Sequence, residues 1–511
     1  MFGFEQYSKA TLLLLSFVIY VPLRLIYNVV YNLFLHPLAN VPGPRLAAAT
    51  YLYQTYHSLV GGSRYYVQVG KMHEKYGPIV RITPDEVSLS DPSNYDLIYF
   101  VGSKYPKSTF YSSFSAGYST FATQPHDLHR IRRSALNPFF SRKNVLALES
   151  VVQDKAQKLC SLAKKKFKEG KELDLNHAFR AVSIDVITDY AFADCYDLLG
   201  REDLGKTFFE MVQKRGPAAW MFVQWPGLQA LAMGLPKWVA SALSQPIAHT
   251  LKLVEHCRAQ CQSVKDAMDS GKVSDSSQPS IFQELLSPEG KDEDYVVPTV
   301  DQLKDEAHSI LAAAADTTGN AMTVAAYHTV SNPEIFEMLR RELKENFPDS
   351  EQELGFVELE RLSYLTAVIK EGLRMSFGVP GRLPREVPKP GATFNGTFIP
   401  AGYTVGMSSW VLHQDPTYFP NPKTFDPSRW LDPAESRRLD KAFVPFSKGT
   451  RGCVGMPLAY CEMYVTLGTF FRRFPNVKGN VLSKEDLSYV DHFSAYHPLG
   501  AEVFKVTSPT I

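Results

Sequence analysis

The sequence predicts a mainly α-helical fold with a minor β component, built as a single large domain behind an N-terminal membrane anchor. Three observations lead to that class. Apolar residues recur at helical spacing from Thr299 to Val330, roughly 30 residues, far beyond the average helix length. A nearly uncharged stretch occupies residues 10–35. Strand signals are few and short, and each ends at a turn sequence. The expected boundaries are an anchor over residues 1–35, a proline-rich hinge over 36–45 and the large domain over 46–511.

Composition sets the outer limits. Of the 511 residues, 45% are hydrophobic and 12% aromatic, too many for a disordered chain. The 54 Lys and Arg nearly cancel the 53 Asp and Glu, leaving a charge of +1, so nucleic acid is not an expected partner. Six cysteines in a chain of this length do not make a disulfide framework and read as free thiols.

From Ala10 to Leu35 the only charge is Arg24. A helix of that length rises about 39 Å, enough for a hydrocarbon core of about 30 Å. The uninterrupted apolar run, Thr11 to Leu23, is shorter; Pro22 marks the expected kink, with Arg24 snorkelling to the lipid head groups. A cleaved signal peptide would show a small-x-small site soon after its apolar core. More hydrophobic sequence follows instead, so the anchor is read as retained. His36 to Arg45 then places three prolines within eight residues, which cannot continue a helix and read as a stiff, extended hinge.

Strands are expected at Ile79–Ile82 and Glu86–Leu89, divided by Thr83-Pro84-Asp85. Asn144–Lys168 and Asp174–Ala193 carry helical periodicity. Residues 270–298, rich in Ser and Gly with a charged run from Glu289 to Asp294, read as a flexible surface connection. Thr299 and Gln302 form a capping box at the start of the long helix, and Asn332-Pro333 stops it. Asn395-Gly396 is a type I′ turn pair inside a hairpin at Ala392–Thr404.

The most informative segment runs from Phe446 to Gly455, where Gly449, Gly452 and Gly455 surround Cys453 and Arg451 precedes it by two residues. Glycines let backbone approach a flat ligand closely, and backbone N–H groups in such a loop can stabilise a thiolate. A thiolate of this kind serves as a nucleophile or as a metal ligand, and Arg451 offers a cation to a carboxylate. An inert cysteine in a turn would not explain the Phe, the glycines and the Arg at these offsets. Cys257 and Cys261, at helical spacing, have no second pair to complete a zinc set. No G-x-G-x-x-G, G-x-S-x-G or H-E-x-x-H occurs, so nucleotide-binding and hydrolytic classes lack support.

Phe446-x-x-Gly449-x-Arg451-x-Cys453-x-Gly455 resembles the haem-binding signature of the cytochrome P450 family. Three further segments resemble that family in order. Glu371-Gly372-Leu373-Arg374 and Phe425 to Trp430 match the segments whose Glu371, Arg374 and Arg429 form a buried structural cluster. Ala313-Ala314-Ala315-Asp316-Thr317-Thr318 matches the distal oxygen-activation motif, in which Asp316 and Thr317 relay protons; Ala314 stands where the family usually has glycine. A threonine inside a helix also turns its hydroxyl to the carbonyl four residues back, here Ala313, and bends the helix. His129 and Arg133 match the pair that holds a haem propionate, with His129 in the usual tryptophan position. Arg382 follows as a further propionate partner, with Arg385 its alternative, and Arg451 adds another cation.

The resemblance covers essentially the whole chain and implies a cytochrome P450 fold whose catalytic domain binds haem through Cys453, a thiolate on the iron. It implies monooxygenation of a small hydrophobic substrate by dioxygen. The electrons come from NADPH through a separate NADPH–cytochrome P450 reductase, because the chain has no flavin or nicotinamide motif. The anchor would place the domain on the cytosolic face of the endoplasmic reticulum, beside membrane lipid. The expected pocket lies near Phe110–Phe121, Ala312–Ala313, Val379-Pro380 and His492–Ala495, with little fixed charge. The opening from His36 to Pro44 and the run from Leu136 to Ser141 resemble fungal biosynthetic members, including the trichodiene-oxygenase-like group. That points to a terpenoid or related secondary metabolite, with a polyketide or an alkaloid as alternatives. A haem-thiolate isomerase or dehydratase that uses no dioxygen is the rival class; retention of Asp316 and Thr317 argues against it.

Overall fold

The computed structural model describes residues 9–114, 116–192, 194–271, 280–314 and 316–509; positions 1–8 of the expected anchor, Ala193 and Ala315 lie outside the described residues. Helix α1, Lys9–Val30, runs through Pro22 and widens into a π-turn at Tyr31–Leu35. Its stretch Leu13–Leu35, of mean hydropathy 1.9, is long and apolar enough to cross a membrane.

The segment after the anchor departs from the expected extended hinge. The prolines do end the helix, but residues 36–41 fold into turns, with Ala39 N donating to the His36 carbonyl and Val41 N to that of Leu38. Leu38 and Val41 are buried among Ile79, Val87 and Val405, so their apolar side chains draw the segment onto the domain. Buried Arg81 ties it down, donating to the carbonyls of Asn32 (2.7 Å) and Leu38 (3.3 Å). A Cβ on Gly43 would lie 2.4 Å from the Arg81 carbonyl oxygen, so only glycine permits this approach.

Strands β1 (Ile79–Thr83) and β2 (Glu86–Leu89) pair antiparallel around the expected turn. β2 continues in parallel with Thr404–Met407, which pairs antiparallel with Arg385–Glu386, giving a four-stranded sheet. In the separate hairpin of Gly391–Phe394 and Thr397–Pro400, Asn395 (φ 43°) and Gly396 (φ 81°) both adopt the left-handed conformation a type I′ turn requires.

The bulk of the domain is helical. Its main helices are α2 (His126–Leu136), α3 (Glu149–Lys168), α4 (Leu175–Phe192), α5 (Val300–Ala314), α6 (Thr317–Ser331), α7 (Ser363–Ser376) and α8 (Met456–Arg473). α4 packs on α6, α6 on α7, and α8 on α3, and between them lies the largest apolar core. α4 is buried on every face, as its apolar residues in all directions require. The pattern read as one helix from Asn144 is two, because Leu148 (φ −96°, ψ 0°) separates Arg142–Ala147 from α3.

Two other readings change. Positions 272–279 of the supposed surface connection lie outside the described residues, but Ile281–Leu285 within it is a capped, buried helix. Phe282 stacks on Phe192 at 4.6 Å, so this part belongs to the core. The long helix also divides. Its capping box is present, with Thr299 N donating to Gln302 Oε1 (2.9 Å) and Gln302 N to Thr299 Oγ1 (3.3 Å). Yet α5 ends at Ala314 and α6 begins at Thr317, with Asp316 (φ −126°, ψ −30°) outside helical geometry. Thr317 Oγ1 donates to the Ala313 carbonyl at 2.9 Å and competes with the backbone for it, while the apolar periodicity continues on both sides.

One buried acid makes stability depend on pH. Glu462 of α8 accepts a hydrogen bond from Ser183 Oγ of α4 at 2.7 Å, and burial pushes its carboxyl up to about 8. Its folded pKa is raised above the unfolded value, so the folded state holds a proton that the unfolded state releases. Its contribution is present below about pH 4.5 and is lost as pH rises toward 8. Glu462→Gln is expected to flatten denaturant midpoints across this window and to stabilise the protein by about 3 kcal/mol at pH 7. Parallel pH profiles for the two proteins would refute the assignment.

Candidate active site

The Phe446–Gly455 loop precedes α8 and is closed by its own backbone. Cys453 N donates to the Phe446 carbonyl (2.9 Å) and Gly452 N to that of Gly449 (2.9 Å). Gly449, at φ 71°, passes so close to Phe100 that a Cβ would meet its carbonyl oxygen at 2.4 Å. Phe446 packs its ring at a tilt against Tyr460, centroids 5.2 Å apart, and a Cβ on Gly455 would meet nothing within 4 Å. Cys453 is solvent-accessible, yet the surrounding protein desolvates it enough to push its thiol up, so it lies on the wall of an internal cleft. The N–H groups of Gly455 and Met456 face its sulfur, and the Arg133 guanidinium lies near. Burial disfavours a free thiolate here, whereas a bound metal would deprotonate the thiol, so the surroundings suit a metal ligand better than a nucleophile.

Beside this loop stand Lys107, Arg133, Arg385 and Arg451. Lys107 Nζ donates to the Phe121 carbonyl at 2.6 Å and lies 4.3 Å over the Phe121 ring. Arg133 donates to the Gly452 carbonyl (2.9 Å) and Asn137 Oδ1 (2.7 Å), Arg385 to the Tyr111 hydroxyl (2.5 Å), and Arg451 to the carbonyls of Thr123 and Gln124. These partners are neutral oxygens. Burial and then the Arg385 charge hold Lys107 well below the usual lysine range and bring Arg451 down to about 10. His129, buried on α2, falls to about 2 through burial and then the charge of Arg451, so it is a neutral imidazole. Burying cations together without carboxylate partners is costly, and a bound dianion relieves the repulsion. A cleft thiol with two N–H donors, next to cations suited to a pair of carboxylates, fits the haem that the sequence resemblance implies.

Arg382, expected as a propionate partner, is engaged elsewhere in this structure. Its Nε and Nη2 donate to the two oxygens of Glu86 at 2.6 and 2.7 Å, a bidentate pair that occupies the guanidinium. The alternative, Arg385, stands with Lys107 and Arg451.

The structure brings Glu371, Arg374 and Arg429 together. Arg374 pairs with Glu371 through two bonds of 2.7 and 2.9 Å, both side chains fully buried, and Arg429 Nε lies 3.3 Å from Glu371. Trp430 Nε1 and Asp426 N also donate to Glu371, at 3.0 and 2.9 Å.

The second feature is the break between α5 and α6. Ala313 is exposed and Thr317 half-buried there, whereas Asp316 is fully buried. Burial pushes the Asp316 carboxyl up, opposed first by Arg180, whose Nη1 is 3.6 Å away, and the Tyr496 hydroxyl lies beside it. Arg215 is also close to Asp316, and its Nη1 meets His308 Nε2 at 2.9 Å. No motif announced Arg180, Arg215 or His308, because their partners are distant in sequence. They also correct the expectation of a site with little fixed charge. Between the cationic end and the Asp316 end lies an aromatic group. Phe493, at the tip of the 490–496 hairpin with φ 75°, has ring centroids 4.9 Å from Phe114 and 5.2 Å from Phe121.

Comparison with known proteins agrees with this geometry. A tryptophan 6-hydroxylase of Fusarium equiseti is 37% identical over 446 residues, 87% of this chain and 86% of that protein. An N-acetyltryptophan 6-hydroxylase of Emericella nidulans is 34% identical over 500 residues, 96% of this chain and 95% of its own. A cytochrome P450 monooxygenase of Cochliobolus heterostrophus is 36% identical over 456 residues, 87% and 86% respectively. The family model described as cytochrome P450 matches residues 42–486, and with the thiol loop, the cations and the divided helix in place, the chain belongs to the cytochrome P450 family.

Proposed function

We propose that this monooxygenase holds haem with Cys453 on the iron, that Lys107, His129, Arg133, Arg385 and Arg451 secure its carboxylates, and that Asp316 and Thr317 move protons. The observation that carries this reading is the accessible cleft thiol beside a group of cations that form no ion pair among the described residues, with Glu306 the carboxylate acting on Lys107 and Arg133 from farther off. Haem would supply the oxygen chemistry, using dioxygen and electrons from a reductase, as monooxygenases of the family do. Phe446 packs under the loop and Gly455 leaves room beside it. Thr317 donates its proton to the Ala313 carbonyl and so turns its oxygen lone pairs outward. Asp316, its carboxyl raised by burial, both holds and releases a proton nearer neutrality than an exposed aspartate. The reductase partner is NADPH–cytochrome P450 reductase, met on the cytosolic face of the endoplasmic reticulum, where α1 anchors the protein.

For the substrate, the rings of Phe110, Phe114, Phe121 and Phe493 favour a flat aromatic body, and Arg215 with His308 offers a cationic end. Tryptophan and its N-acetyl derivative, named for two of the relatives, combine an indole ring with a carboxylate. The reading that follows is hydroxylation of an indole carboxylic acid, nearest to the alkaloid alternative. The terpenoid reading, resting on the His36–Pro44 and Leu136–Ser141 segments, stands second.

The test is expression with a reductase, NADPH and dioxygen, offering indole carboxylic acids and terpenoid hydrocarbons in parallel. An indole acid is expected to gain one oxygen atom, and Arg215→Ala to weaken its binding about tenfold or more, read from the substrate-induced haem spectrum. Oxygenation of terpenoids alone would overturn the indole reading. Product formation without consumption of NADPH and dioxygen would overturn monooxygenation.

A further inference from the structure

A crevice of about 550 Å³ lies where the anchor meets the domain. One wall is a polar stripe on the anchor, Arg24, Asn28 and Asn32, spaced four residues apart and so on one helix face. The opposite wall belongs to the domain and presents Tyr51 and Asp85. Two hydrogen bonds tie the junction, Asn32 Nδ2 donating to the Ala49 carbonyl (2.9 Å) and Arg81 to that of Asn32 (2.7 Å).

The charges on the two walls are left over. Among the described residues Arg24 has no acidic side chain within ion-pair distance; its guanidinium lies 5.4 Å over the Tyr27 ring. Among the described residues Asp85 forms no ion pair, although the Arg81 guanidinium, engaged with backbone carbonyls, lies near enough to act on it; its carboxylate accepts from Thr83 Oγ1 and lies beside the Tyr51 hydroxyl. A crevice with an unpaired cation on one side and an unpaired anion on the other complements a zwitterion. Aromatic rings lie between the two. Tyr27 and Tyr31 stack at 6.1 Å, and Tyr31 meets His36 edge-on at 5.6 Å. Electron-rich ring faces beside a carboxylate suit a quaternary ammonium. Leu23, Leu46 and Leu52, all more than half exposed, supply apolar surface for acyl chains.

We propose that this crevice binds the zwitterionic head group of a membrane phospholipid. Arg24 takes the phosphate, and Asp85 with the tyrosine rings takes the quaternary ammonium. The lipid thereby bridges anchor and domain. This rests on the reading of α1 as a membrane anchor, which vesicle flotation of the full chain tests separately.

The full-length haem-loaded protein is placed in nanodiscs of mixed phosphatidylcholine and phosphatidylglycerol, and the lipids retained are counted by native mass spectrometry. Wild-type protein is expected to retain phosphatidylcholine about fivefold over phosphatidylglycerol. Asp85→Asn should abolish that preference with haem content and vesicle flotation unchanged. Arg24→Gln should lower retention of both lipids. Equal retention of the two lipids by wild-type protein, or an unchanged preference in Asp85→Asn, overturns the proposal. Strong binding of soluble phosphocholine without lipid preference overturns its assignment to lipid. Failure of the wild-type chain to float with vesicles overturns the anchor reading and the site with it.

Discussion

Replacing Cys453 by serine is expected to leave a folded protein with oxygenation at background. Serine keeps the size of the side chain and the N–H groups of Gly455 and Met456 that face it. It removes the one thiol of the cleft, and an alcohol does not offer iron the electron density of a thiolate. The reduced, carbon-monoxide-treated protein should lack the red-shifted band of thiolate-ligated haem, while its circular dichroism is unchanged. Wild-type absorbance and turnover in this variant would remove the basis of the site assignment.

The second large effect is on stability. Glu371→Ala is expected to cost about 3–5 kcal/mol, read as a shifted urea midpoint, because it strands the buried Arg374 guanidinium without its charge partner. It also deprives Trp430 Nε1, Asp426 N and Arg429 of their acceptor. Arg374→Lys should not rescue the complementary defect. One ammonium cannot replace a guanidinium that grips Glu371 twice and also donates to the carbonyls of His413, Pro422 and Thr424. A loss below about 1 kcal/mol in Glu371→Ala would mean that water replaces these bonds.

Features legible in the sequence were those set by neighbours along the chain. The Asn395-Gly396 turn and the Thr299–Gln302 capping box need only residues within three positions of one another. The thiol loop was legible for the same reason. Tertiary partners explain the rest. Nothing near Arg382 announces Glu86, whose carboxylate lies 296 residues away in sequence, so Arg382 and Arg385 could not be told apart by position. Lys107 belongs to no spacing pattern, and its role follows from the Phe121 carbonyl and three distant arginines. Near Asp316 the sequence announced a bend, through the Thr317 hydroxyl and the Ala313 carbonyl, but not a full break, because the apolar periodicity of α5 and α6 runs on through it. Ile281–Leu285 looked like a surface connection because its flanks are polar, while Phe192 decides that Phe282 is buried.

The way Leu38 and Val41 tuck into the domain bears on how a shortened, detergent-free version should be cut. A chain starting after Arg45 would lose both apolar side chains from the cluster around Ile79 and Val405. It would also take the Asn32 and Leu38 carbonyls from Arg81, which is only 1% exposed. A start point within α1, beyond its most lipophilic stretch but ahead of Tyr31, trims the insoluble part and keeps the seam closed.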